Sequence, residues 1–253
     1  MAKIAVFDSG LGSLSVIKPI QKKIKSDIIY FADQKNFPYG TKSKSHLKKI
    51  IEKTIITLEK KFNPDLIVIG SNTPSILLKN IFKKPKVIGV LPPLKDAVDN
   101  TRSCSIAILA TKSVVQSKSL KNYIKKNVPN SIKVTKINAS PLVELVESML
   151  FVYDKKLCEK TIRNLLLEPF KKNNVDVVTL SSTHLPFLLL MLKKIFPNVK
   201  FLDPANTVAS EIVMVLHKKR SKKNTVKIFA SGNVALFQNK LRQIGFRYRV
   251  SSL

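Results

Sequence analysis

The sequence predicts an α/β fold in which parallel sheets carry helices on both faces, arranged as two similar halves. Three observations predict it. Short apolar, β-branched runs alternate with helix-period segments along the chain, the order expected of parallel strands joined by helical crossovers. The runs are apolar throughout rather than at alternate positions, as strands buried on both faces are. Two of them, Leu66–Gly70 and Val177–Leu180, break at their carboxyl ends into hydroxyl-rich stretches, Ser71-Asn72-Thr73 and Ser181-Ser182-Thr183-His184. Open α/β sheets bind ligands in the crevice beyond their strand ends, so the two stretches suggest similar halves facing one cleft.

Taken in order, Ile4–Phe7 is the first strand and ends in Asp8-Ser9-Gly10-Leu11-Gly12-Ser13, ahead of a helix predicted over Leu14–Lys25. A glycine-rich strand-to-helix turn offers backbone N–H groups to an anion. Neither a full dinucleotide fingerprint nor a Walker lysine accompanies it, so Asp8 is its more informative residue. The strand Asp27–Asp33 leads to Asn36-Phe37-Pro38-Tyr39-Gly40-Thr41, a turn rich in special backbone residues. A helix over Ser43–Phe62 turns isoleucines inward and lysines outward. The Leu66 strand, a helix from about Pro74 and the strand Val87–Val90 complete the first cycle.

Ile106-Ala107-Ile108 echoes Ile4-Ala5-Val6 and opens a second cycle. It continues with a helix over Ser113–Lys126, the strand Lys133–Ala139, and helices over Pro141–Leu150 and Asp154–Lys172. The first of these two helices carries Glu144 and Glu147. Beyond the Val177 strand follow a helix over Phe187–Phe196 and the strand Val199–Leu202, which closes on Asp203-Pro204-Ala205. His217–Lys223 reads as an exposed loop. The strand Val226–Ala230, a helix and a short closing strand finish the chain.

With 253 residues, 44% of them hydrophobic, the chain suits one large or two small domains with packed cores. No apolar run approaches the ~20 residues of a membrane span, and the amino terminus enters a strand without a signal-peptide pattern. A soluble, cytoplasmic protein is expected. The net charge of +29 raises nucleic acid as a partner, but only six of the 45 basic residues are arginine, leaving 39 lysines spread along nearly every amphipathic segment. Nucleic-acid readers lean on arginine for forked contacts. The charge is therefore read as a solvated lysine surface and not as the main function. Cys104 and Cys158 have no metal-ligand spacing, so no metal site is expected and both read as packing residues.

These motifs together resemble the glutamate racemases of the cofactor-independent aspartate/glutamate racemase superfamily. The likeness rests on Asp8-Ser9-Gly10 with Gly12, Pro38-Tyr39-Gly40, Asn72-Thr73, Ala110-Thr111, Glu144 in Pro141-Leu142-Val143-Glu144, Thr183-His184 with Pro186, and Asp203-Pro204-Ala205. It implies two pseudo-symmetric α/β domains, residues 1–93 with 203–253 and residues 94–202, holding L- or D-glutamate or aspartate between them. No cofactor is implied, and a homodimer is compatible. The activity implied is interconversion of L- and D-glutamate, a peptidoglycan precursor. By the same resemblance Ser9, Pro38, Tyr39, Gly40, Asn72, Thr73, Thr111 and Thr183 bind substrate, with Asp8 and His184 assisting the two bases. Glu144 assists on the second side, Glu147 remaining the other candidate for that acid.

The chain departs from the pattern where the bases stand. The resemblance expects cysteine before Asn72-Thr73 and before Thr183-His184, and this chain has Ser71 and Ser182. Val114 stands where a second threonine is expected after Thr111. Removing the Cα proton from one face and returning one to the other requires two groups that alternate as acid and base. A thiol ionises near pH 8.5. A hydroxyl ~5 pKa units weaker costs roughly 7 kcal/mol more to ionise, a loss on the order of 10⁵ in rate unless neighbours compensate. Three readings stay open: a slow or compensated racemase, an inactive relative that binds an acidic amino acid, and a different enzyme that uses Ser182 with His184.

Overall fold

The computed structural model describes residues 1–79, 81, 86–217 and 219–253. In chain order the elements are β1 (Lys3–Asp8), α1 (Leu14–Lys23), β2 (Asp27–Ala32), α2 (Lys44–Phe62), β3 (Leu66–Ile69), α3 (Asn72–Leu77) and β4 (Val87–Gly89). Then come α4 (Leu94–Asn100), β5 (Ser105–Ala110), α5 (Lys112–Val115), α6 (Lys118–Asn127), β6 (Lys133–Asn138), α7 (Ser140–Glu147), α8 (Leu150–Tyr153), α9 (Lys155–Lys172), β7 (Val177–Leu180), α10 (Leu189–Ile195) and β8 (Lys200–Leu202). The chain closes with α11 (Ala205–Leu216), β9 (Thr225–Ala230), α12 (Val234–Gln243) and β10 (Val250–Ser252).

Two compact units result, one of Met1–Val90 with Ala205–Leu253, the other of Leu91–Pro204. The first holds a six-stranded sheet in the order β10-β9-β2-β1-β3-β4, the second a four-stranded sheet in the order β6-β5-β7-β8. Every pairing is parallel. The central strands β3, β5 and β7 are buried along their whole length, as their largely apolar sequences require. Among the described residues no helix is long and apolar enough to cross a membrane.

Helices cover the sheets with apolar stripes at helical spacing. In α2 the buried residues are Leu47, Ile50, Ile51, Thr54, Ile55 and Leu58. Ser43 caps this helix by accepting from His46 N at 3.3 Å, and Asn63 ends it in the left-handed conformation at φ 41°. In α9 the stripe is Cys158, Ile162, Leu166 and Phe170, and Asp154 Oδ1 accepts from Leu157 N at 2.9 Å.

Several expected boundaries move, each for a local reason. The helix expected over Ser113–Lys126 is two helices, because the Ser117 hydroxyl accepts from Leu120 N at 3.0 Å and so starts α6 afresh. The helix expected to reach Leu150 stops at Glu147, with Met149 at φ 67° before α8. The segment expected as helix from Phe187 opens as a 3-10 turn over Leu185–Leu188. The helix expected from Pro74 begins at Asn72. Cys158 is buried as expected, whereas Cys104 is exposed and not a packing residue. Lys218, within the expected loop His217–Lys223, lies outside the described residues.

One close approach fixes the carboxyl edge of the larger sheet. Gly70 follows β3 and lies against the start of α1. A Cβ built there would stand 2.3 Å from Ser13 Cβ and 3.1 Å from the Phe7 carbonyl oxygen. Gly70→Ala should therefore destabilise the protein by about 1–3 kcal/mol, the usual cost of overpacking. Urea unfolding checks this, with partial recovery expected in Gly70→Ala/Ser13→Gly. A wild-type midpoint for Gly70→Ala would contradict the packing described.

Candidate active site

In the first unit the ladder registers Asp8 with Ala32, Phe7 with Ile69, and Ala32 with Ala230. The residues just past these positions, Ser9, Asp33, Gly70-Ser71 and Ser231, thus gather at one sheet edge. Asp8 is buried and its carboxylate accepts from Ser9 N at 2.6 Å. The turn that follows is held from below by Tyr30, whose hydroxyl donates to Gly10 O at 2.7 Å and accepts from Ser13 Oγ at 3.3 Å.

Ser71 caps α3 with its backbone carbonyl, which accepts from Ser75 Oγ at 2.6 Å. Among the described residues its own hydroxyl has no hydrogen-bond partner. Asn72, 3% exposed, donates from Nδ2 to Val90 O at 3.0 Å. A carbonyl only accepts, so this bond fixes the amide orientation and leaves Oδ1 as the free acceptor. Asn72 Oδ1 is buried and, among the described residues, has no partner. Buried acceptors are rarely left so. Thr73 is buried beside it.

The turn carrying Pro38, Tyr39 and Gly40 is fastened by a residue that the sequence reading passed over as a strand end. The Asp33 carboxylate is 3% exposed and accepts from Tyr39 Oη at 3.0 Å, Asn36 Nδ2 at 2.9 Å and Ser231 Oγ at 3.1 Å. Its backbone N–H donates to Asp8 O at 2.7 Å. One buried aspartate therefore ties the turn to β9 through its carboxylate and to β1 through its backbone N–H. Burial, with the negative charges of Asp33 and Asp8 beside it, pushes the Tyr39 hydroxyl well above 10.0, which keeps it the donor. The available signal was an aspartate three residues before Asn36 and six before Tyr39; its partner Ser231, 198 residues away, carried none.

In the second unit Leu109 is registered with Leu180, so Thr111 and the stretch Ser181–His184 follow neighbouring strand ends. Ser182, Thr183 and His184 are all buried. The Ser182 carbonyl accepts from Leu185 N at 3.1 Å and starts the 3-10 turn, while its hydroxyl is unpartnered among the described residues. Thr111 caps α5, which is moored by Lys112 N donating to Ser140 Oγ at 3.1 Å.

The two candidate acids on α7 have different surroundings. Glu144, named first for that role, is exposed. Glu147 is 8% exposed, and its Oε2 lies 3.1 Å from His184 Nε2. Among the described residues no group of three His, Cys, Asp or Glu side chains gathers as a metal site.

No protein-family model matches the chain. It is 31% identical to glutamate racemase of Buchnera aphidicola, over 87% of this chain and 87% of that protein. It is also 31% identical to glutamate racemase of Bartonella bacilliformis, over 95% and 93% of the two chains. Among solved structures, a glutamate racemase isoform from Bacillus anthracis superposes with a TM-score of 0.87 at 26% identity, covering 100% of this chain and 97% of that one. The Francisella tularensis glutamate racemase in complex with D-glutamate gives 0.81 at 25% identity, covering 100% and 97%.

The Asp33 network makes an ordered prediction. Asp33→Asn replaces one acceptor by an NH₂ group that faces existing donors, and should cost about 1–3 kcal/mol. Tyr39→Phe removes a single bond and should cost about 1 kcal/mol. Equal or negligible losses in urea unfolding would contradict the network.

Proposed function

The chain belongs to the glutamate racemase family, and from that premise we propose that it binds glutamate and exchanges its Cα proton slowly, with Ser71 and Ser182 in the place of the two bases. The observation that carries the reading is the pairing of an unpartnered Ser71 hydroxyl with the buried orphan acceptor Asn72 Oδ1 at a strand carboxyl end. An α-ammonium is a donor that satisfies that acceptor. Asp8, Ser9, Thr73 and the Pro38–Gly40 turn complete the polar lining on that side, and Thr111 and Thr183 supply hydroxyl donors for carboxylate oxygens.

Each serine works with what its own unit provides. On the Ser182 side, His184 stands two residues on, with its ring oriented by Glu147 through Nε2. A carboxylate that fixes an imidazole in one orientation prepares it for proton transfer. Glu147, rather than Glu144, is thus the acid proposed for this side. On the Ser71 side the nearby carboxylate is Asp8, at the end of the adjacent strand. No histidine serves it, so the hydroxyl at 71 is the weaker of the two as a base. Racemisation passes through both groups, and the slower one sets the rate.

A second reading, an acidic-amino-acid binder without turnover, is favoured by the same two hydroxyls. The test is incubation with L-glutamate in D₂O, following the Cα proton by NMR, beside the Ser71→Cys/Ser182→Cys variant. Slow exchange that the variant raises by several orders of magnitude, up to about 10⁵-fold, is expected. Binding without exchange, with activity gained only in the variant, would establish the second reading. Neither binding nor exchange in either protein would refute both. Asn72→Leu should weaken glutamate binding by about tenfold or more in calorimetry, since it removes the orphan acceptor.

A further inference from the structure

The arginines are distributed unlike the lysines. Lysine supplies 39 of the 45 basic residues and lies along most helices, yet three of the six arginines, Arg242, Arg247 and Arg249, fall within eight positions. All three line one cavity of about 900 Å³ in the first unit, beside α12 and the start of β10. A composition that favours lysine so strongly does not by itself place three guanidinium groups around one hollow.

The cavity wall is built rather than incidental. Gln238, on α12, donates from Nε2 to Tyr248 O at 2.8 Å and accepts from Val250 N through Oε1 at 2.8 Å. This clamp fixes the segment bearing Arg247 and Arg249 against the helix bearing Arg242. Among the described residues no carboxylate pairs with any of the three arginines. No aspartate or glutamate follows Glu211 in the sequence. Three exposed like charges around one hollow repel, and an anion seated there removes that cost.

We propose that this cavity is a binding site for a small polyphosphate anion, held by the forked donors of Arg242, Arg247 and Arg249. Guanidinium groups match phosphate oxygens two at a time, which ammonium groups do not. A volume of about 900 Å³ lies within the range of small-molecule sites, roughly 300–1,000 Å³, and favours a compact ligand over a polynucleotide laid along a surface. Tyr248 lines the same cavity and offers a ring to a base or sugar if the phosphates belong to a nucleotide. The site is independent of the glutamate reading and stands or falls without it.

The experiment is calorimetric titration of the full chain with inorganic triphosphate, then with a nucleoside triphosphate, at physiological salt. One saturable site per chain is expected. Arg247→Lys/Arg249→Lys keeps the charge and should weaken binding about tenfold, whereas Lys222→Ala/Lys223→Ala, in the basic loop, should change it less than twofold. Thermal unfolding verifies that both variants are folded. Tighter binding of the nucleoside triphosphate that Tyr248→Ala abolishes would assign a nucleotide as the source of the phosphates. Equal affinities would assign the phosphate chain alone. Non-saturable binding, equal loss in the arginine and lysine variants, or tighter arginine-dependent binding of a single-stranded RNA oligonucleotide would overturn the proposal.

Discussion

The larger sheet depends on the absence of a side chain at Gly70. With Ser13 Cβ 2.3 Å from where a Cβ would sit, only glycine lets β3 end flush against the start of α1. The parallel ladder then does the rest. Because Phe7 pairs with Ile69 and Asp8 with Ala32, the strand ends cannot be staggered, and Asp8, Asp33 and Ser71 emerge along one edge. Tyr30 supports the glycine-rich turn from beneath, and Asp33 binds the Pro38–Gly40 turn to it. Position along the sheet thus determines which polar groups can act on a common ligand.

The second unit reaches a comparable arrangement by other means. No glycine follows β7; the chain turns instead through Ser181, whose N–H donates to Thr179 O at 3.0 Å, and through a 3-10 turn entered from the Ser182 carbonyl. Here the ionisable residue is a histidine, braced by a glutamate from α7. The two hydroxyls therefore sit in different electrostatic surroundings although the local plan is alike. Under the proposed function, that asymmetry makes Ser71 and Ser182 unequal as bases.

Much of the fold was legible in sequence because buried parallel strands are continuous apolar runs, and the carboxyl ends of β3 and β7 announce themselves by an abrupt change to hydroxyl residues. Interruptions inside helices were not. Ser117 looks like any polar position on a helix face until its hydroxyl is seen to cap Leu120. Choosing between Glu144 and Glu147 required knowing which face of α7 meets the His184 turn, which spacing alone does not give. The partnership of Asp33 with Ser231 was beyond reach for a different reason, since the two follow strands β2 and β9, which pair across most of the chain's length.

Hydroxyls at positions 71 and 182 also alter the molecule's exposure to oxidants. A thiolate would be open to peroxide and alkylating agents and could be driven to sulfinic acid irreversibly. Oxygen in its place has no such ladder to climb. The remaining sulfur nucleophiles are Cys158, packed inside the second unit, and Cys104, exposed at the amino end of β5. Thr111 marks the other end of that strand, seven positions on and roughly 23 Å away at the usual rise. Thiol-directed oxidation or alkylation of this chain thus falls on Cys104, at the end of its sheet remote from the Thr111 end.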